Sequence, residues 1–134
     1  MIGSDIALHI EQKGLALLTS NLFVGGMPDS GPASCVVVYE YSGAPPSRSS
    51  GGIACEHARI QVCVRDPSYG DARDLAERIH QEIDGTGDIE INGTRYLWIE
   101  ALSPPFLLGR DSGNRALIAC NYDVAKERSK LEAY

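Results

Sequence analysis

Four cysteines, three histidines and one arginine-flanked aspartate are the residues of this chain whose types could do chemistry. Cys35, Cys55, Cys63 and Cys120 contain no C-x-x-C pair, and their spacing fits no zinc pattern. His9, His57 and His80 are too far apart to lie on one helical face as ligands. Only Cys55, His57 and Cys63 stand close along the chain. Reduced, mostly buried thiols are the ordinary state of cysteine in a cytosolic protein, so no metal site is expected. The glycine pairs Gly25-Gly26 and Gly51-Gly52 lack the lysine and helix start that a phosphate cradle requires. No G-x-S-x-G nucleophile elbow is present. Cys, His and Asp could converge in space, but their spacing gives no positive sign of it. The densest polar cluster is Arg110-Asp111 with Arg115. An acid between two guanidinium groups forms charge-assisted bonds that can staple a turn or a neighbouring subunit. A solvated turn is the plainer alternative. No residue is picked out as catalytic, and no cofactor is expected.

Composition narrows the classes further. The 134 residues are 43% apolar and 22% charged, values that suit a globular protein rather than a disordered one. A chain of this size forms one domain with a core that needs no staples. No apolar run approaches the roughly 20 residues that span a bilayer. Met1-Ile2-Gly3-Ser4-Asp5 has neither the basic region nor the apolar stretch of a signal peptide, so synthesis in a cytoplasm and a soluble product are expected. The formal charge is −6 and the pI about 4.9, with Lys and Arg scattered among acids. Binding to nucleic acid through a basic surface needs clustered cations, so it is not expected here, although an acidic protein can stand beside DNA if its task is to let DNA pass without sticking.

The elements that must carry these residues follow from periodicity. Ser4 is placed to cap a first helix whose stripe is Ile2, Ile6 and Ile10, with Asp5 at the positive end of its dipole and Gly14 at its end. Leu15–Leu18 could add a short turn. Leu22-Phe23-Val24 is a short strand, broken by Gly25 to Asp29. Cys35–Tyr41 is β-branched and aromatic, and its valine run indicates burial on both faces. Ser42–Gly52 is rich in Ser, Gly and Pro and reads as a long mobile loop. Glu56–Arg65 alternates as a half-buried strand, with Ile60, Val62 and Val64 on one side and Arg59, Gln61, Cys63 and Arg65 on the other. Asp66 or Ser68 caps a second helix with Tyr69, Ala72, Leu75, Ala76, Ile79 and Ile83 inward, and Gly85 suits its left-handed end. Asn92-Gly93 turns a hairpin between Asp88–Ile91 and Thr94–Leu102. Phe106–Gly109 reads as an apolar loop, Arg115–Val124 as a last strand, and Lys126–Tyr134 as a frayed polar tail. The expected class is α+β, a mainly antiparallel curved sheet packed by two helices, with residues 1–134 forming one domain.

Three blocks then share a resemblance. They are Leu22-Phe23-Val24-Gly25-Gly26-Met27-Pro28-Asp29, Val62-Cys63-Val64-Arg65-Asp66-Pro67-Ser68-Tyr69-Gly70-Asp71-Ala72, and Pro105-Phe106-Leu107-Leu108-Gly109-Arg110-Asp111-Ser112-Gly113-Asn114-Arg115. In order and spacing they resemble the minor capsid and tail terminator family of long-tailed phages. The Ser-Arg-Ser-Ser loop and the four cysteines are not part of that likeness. The resemblance implies a non-enzymatic virion protein of the tail or neck, assembled in the host bacterial cytoplasm. It implies a homo-oligomeric ring, usually of six subunits, that caps the tail tube and stops its polymerisation. Its partners would be other copies of itself, the tail tube protein and a head-completion or stopper protein, with DNA passing through the lumen and no membrane involved. Candidate subunit or partner contacts are Arg48, Arg65, Tyr69, Arg110, Asp111 and Arg115. Another neck component, for head–tail joining or tail completion, is the nearest alternative. A small cytoplasmic enzyme or ligand-binding domain is the more distant one and needs a converged polar pocket.

Overall fold

The computed structural model describes residues 1–28, 31–42, 47–48 and 54–127, and at 42, 47, 48 and 54 by backbone alone. Helix α1 spans Ile2–Gln12 and helix α2 spans Tyr69–Ile83. The strands are β1 (Leu22–Val24), β2 (Cys35–Ser42), β3 (Ser47–Arg48), β4 (Ala54–Asp66), β5 (Thr86–Ile91), β6 (Thr94–Ala101), β7 (Phe106–Arg110) and β8 (Ala116–Glu127). They join in one sheet of order β1-β2-β4-β8-β6-β5, with β3 beside β4 and β7 beside β8. All pairs are antiparallel except β1 with β2. The class is α+β, as the periodicities indicate.

Both helices present the faces their spacing foretells. Ile2, Ile6 and Ile10 of α1 are buried, as are Ala72, Ala76, Ile79 and Ile83 of α2. Helix α1 packs against β1, β2 and β5, strands from opposite ends of the order, so the sheet curls round it. Helix α2 covers β4, β8 and β6. Between them lies one core containing Val36, Val38, Ile60, Val62, Val64, Tyr96, Ile99, Ile118 and Val124. Each such aliphatic side chain contributes roughly 1.5–3 kcal/mol by leaving water.

Several local expectations are corrected by longer-range contacts. Ser4 does not cap α1. It is exposed inside the first turn, and the free Gly3 N–H donates instead to Glu40 Oε1 of β2 at 2.6 Å. Asp5 stands in the first turn but is buried, where the Tyr96 hydroxyl of β6 donates to it. No helical turn forms at Leu15–Leu18; Leu18 instead bridges Leu22 beside β1. At α2 the cap is Ser68, whose hydroxyl accepts from Asp71 N, while Asp66 accepts from Ser68 N. Tyr69, placed inward by spacing, is 43% exposed because it begins the helix beyond the core. Gly85 has φ +77, and Asn92 and Gly93 have φ +50 and +82, as the cap and the hairpin turn require.

The strand expectations differ most where the sheet is wide. β4 is half-buried only in its first part: Arg59 is exposed and Gln61 partly so, whereas Val62, Cys63, Val64 and Arg65 are all buried, Arg65 beneath Pro32 and the Asp111 carboxylate. Phe106–Gly109 is not a loop but most of β7, laddered to Leu117–Ala119 of β8. Gly109 has φ +147 and sits at a register shift, a bulge that hides the strand's period from the sequence. Lys126 and Glu127 belong to β8 rather than to a tail, and Lys126 is buried with an ion pair to Glu56 at 3.5 Å. Residues 128–134 lie outside the described residues. So does most of Ser42–Gly52, within which Ser47 and Arg48 form a short ladder with Cys55 and Ala54.

Candidate functional site

The β7–β8 hairpin is organised by the carboxylate of Asp111. Its Oδ1 accepts from Gly113 N at 3.0 Å and Arg115 N at 2.9 Å, and its Oδ2 accepts from Arg115 Nε at 2.8 Å. These bonds close the turn through Ser112 and Asn114, the latter at φ +58. The bond from the Arg115 N–H, with the Arg115 charge, holds the Asp111 carboxyl below the usual carboxylate range. Arg65 of β4 approaches the same carboxylate, Nη1 to Oδ2 at 3.8 Å, and its Nη2 donates to Pro32 O at 2.9 Å. Asp111 is therefore stapled within the chain by Arg115 and Arg65, and Arg110 takes no part in it.

The six candidate contacts fall into four places. Arg65, Asp111 and Arg115 converge on one cluster, reaching from mid-sheet to the hairpin. Arg65 is only 2% exposed, so it does not offer a surface to a partner in this fold. Burial follows from its place on the central strand, opposite Cys35 on one side and Leu117 on the other. Arg110 stands on the same hairpin but is exposed, with Nη1 donating to Asn114 O at 2.9 Å and no carboxylate partner among the described residues. Tyr69 is exposed at the start of α2. Arg48 lies in β3, and its side chain is outside the described residues.

One convergence was not foreseen in the sequence. Cys120 of β8 places Sγ 3.6 Å from His80 Nδ1, and His80 Nε2 is 3.8 Å from Asp84 Oδ2. The Tyr122 hydroxyl lies 3.4 Å from the same Nδ1. The pattern of thiol, imidazole and carboxylate has the makings of a nucleophile relay. Its electrostatics oppose that use. Burial pushes the Cys120 thiol up, and burial also raises the Tyr122 hydroxyl. The thiol donates to Ser103 O at 3.2 Å and is 2% exposed. A nucleophile needs an accessible thiolate, and this group holds its proton under cover, so the cluster seals α2 to β8. His80 at the fourth-last helical position and Cys120 forty residues later share no sequence period, which is why only the fold reveals them.

Cys55, His57 and Cys63 are close in sequence but not in space. They lie on one extended strand, where eight residues span roughly 26 Å. His57 packs instead against Trp98 of β6, with ring centroids 5.5 Å apart and planes tilted by 54°. Among the described residues no three His, Cys, Asp or Glu side chains are arranged to hold a metal ion.

The sheet face away from the helices carries a groove of about 440 Å³. Tyr39, Tyr41, Cys63, Leu108 and Leu117 are among its lining residues, with Gln61 and Asn121 hydrogen-bonded to each other at 3.1 Å. Its thiol, Cys63, is pushed up to about 11, first by burial and then by the neighbouring Cys35. The groove offers shape and apolar area, and the one carboxylate in its lining, Glu40, is engaged by the Gly3 N–H.

No helix among the described residues is long and apolar enough to cross a membrane. A search of curated proteins found no match. A solved structure described as the virion of a native gene transfer agent particle contains a chain similar to this one, with TM-score 0.63 and 11% identity over 95% of both chains. A second solved chain aligns with TM-score 0.55 and 10% identity over 96% of this chain and 94% of its own. At such identities the likeness is one of fold. The family model described as bacteriophage tail terminator protein matches residues 9–128, which take in α2, all eight strands and the Asp111 hairpin. The chain belongs to the bacteriophage tail terminator family, a family of structural virion proteins.

Proposed function

We propose that this protein closes the end of a phage tail tube as a ring of identical subunits, six in the form the family resemblance implies. The single observation that carries this reading is the family match across 9–128. The ring stops addition of further tube subunits and presents its other face to a head-completion or stopper protein. Assembly takes place in the host bacterial cytoplasm. No cofactor enters this role.

Physical features of the chain support it. A heterologous contact repeated with a rotation that closes gives a ring and ends growth, which is the terminator's task. Six copies at −6 each carry a formal charge of 6 × −6 = −36. Part of that acidity, facing the lumen, repels DNA phosphates and lets the genome pass. The groove and the rigid Asp111 hairpin are features for contact rather than for catalysis.

The test is to add the purified protein to tail-tube protein during polymerisation. Tubes should stop growing, with a ring visible by negative stain at one end. Tubes that grow unchanged and carry no extra density would overturn the reading.

A further inference from the structure

We infer that the outer edge of β7 is the seam at which a second copy of this chain docks. The inference rests on the ring reading and deepens it by naming the surface.

A sheet edge presents unpaired N–H and C=O groups, and proteins ordinarily blunt it. Three long or apolar edges can be compared. β1 ends one side of the sheet, and its outer flank is partly closed, because Leu18 bridges Leu22 and Thr19 N donates to Leu22 O at 3.0 Å. β5 ends the other side. It carries Asp88 and Glu90, with Asp88 paired to Arg95 at 2.6 Å, and it packs on α1. β7 is blunted only by its Gly109 bulge and by the charge of Arg110 at its end. It runs along the same side of β8 as β6 does, with β6 against Tyr122–Lys126 and β7 against Ala116–Ala119. β5 flanks β6 but stops there, so the position beside β7 is an unfilled place in the sheet. Among the described residues no backbone hydrogen bond reaches the outer side of β7.

The residues at this place are apolar. Leu107 and Leu108 are each 51% exposed, and Leu108 also walls the groove. An exposed apolar edge of this kind pairs with another chain.

Charge complementarity points to a second copy as that chain. Arg110, at the end of β7, is exposed and has no ion pair among the described residues. The chain itself supplies exposed carboxylates in the same condition: Asp71, Asp74, Glu90 and Glu100. A copy that places an extended segment beside β7 and a carboxylate beside Arg110 satisfies both the ladder and the charge. Because the surface offered differs from the surface received, the contact is heterologous and propagates round a ring.

Amide hydrogen exchange on the wild-type protein is the first test, comparing free chain with chain assembled on tube ends. The β7 amides should slow at least tenfold on assembly. Two variants, Leu107→Lys and Arg110→Glu, should keep the melting temperature while weakening assembly by about tenfold or more. If rings form on tubes but β7 amides exchange as in the free chain, the seam lies elsewhere and the ring reading stands. If rings form and both folded variants assemble like wild type, the seam is likewise refuted. A wild-type chain that never assembles on tubes overturns the ring reading and this inference together.

Discussion

Removing the Arg65 guanidinium separates two roles for this residue, partner contact and internal staple. The side chain is 2% exposed, donates to Pro32 O at 2.9 Å, and lies 3.8 Å from the Asp111 carboxylate. A hydrogen bond from a charged donor contributes about 1.5–3 kcal/mol. Truncation to alanine also leaves a void where the aliphatic stem packed, so Arg65→Ala should cost roughly 3–5 kcal/mol. For 134 residues the unfolding entropy is about 0.28 kcal/mol/K, which converts this loss to a melting shift of roughly 10–18 °C. Arg65→Met keeps the stem and removes a guanidinium whose Nε has no partner among the described residues. It should lose only about 1–2 kcal/mol, or roughly 4–7 °C, since burying an imperfectly satisfied charge is itself unfavourable. Thermal unfolding followed by circular dichroism gives both numbers. A melting temperature unchanged in both variants, together with lost assembly, would show that Arg65 serves a partner and that the internal staple is misjudged. Equal losses for Ala and Met would show that the charge outweighs the stem.

Three further outcomes are expected. Cys63 ionises near 9 when unfolded but holds its proton to about 11 when folded. The unfolded chain therefore binds fewer protons between these values, and stability should fall as pH rises across them, by about 3 kcal/mol from this group. Urea midpoints measured along that range check this, and Cys63→Ser should flatten the decline. His9 is displaced below 6.5, first by burial and then by Lys13, and its Nε2 is buried without a partner among the described residues. The unfolded chain takes up that proton first, so stability should drop as pH falls below 6.5, and His9→Gln should lessen the drop between about pH 7 and pH 5. Gly93→Ala meets no neighbouring atom but places a side chain at φ +82, so it should cost about 1 kcal/mol, or roughly 3–4 °C.

The parts of the fold legible in the sequence are those fixed by neighbours a few residues apart. Ile2, Ile6 and Ile10, the α2 stripe, and the Asn92-Gly93 turn each carry their own period or dihedral requirement. The parts that were not legible depend on distant chain. Glu40 caps α1 from thirty-seven residues away, and a capping serine in the first turn is left exposed. β7 reads as a loop because Pro105 precedes it and the Gly109 bulge interrupts its alternation. Lys126 reads as tail because a buried lysine is uncommon, yet Glu56 across the β4–β8 ladder neutralises it. For the site, the Arg110-Asp111-Arg115 cluster is visible as charge spacing. That Arg65 completes it is not, since only the β4–β8 register brings strand and hairpin together.

The most direct measurement of the central claim is tube length against added protein. Tail-tube subunits polymerising alone give long, broad length distributions. With this protein present, mean length should shorten as its concentration rises, and imaging should show one ring per capped end with subunits in closed rotational symmetry. A length distribution unaffected at any ratio, with no protein bound at tube ends, would contradict the account of this chain as the piece that ends the tail.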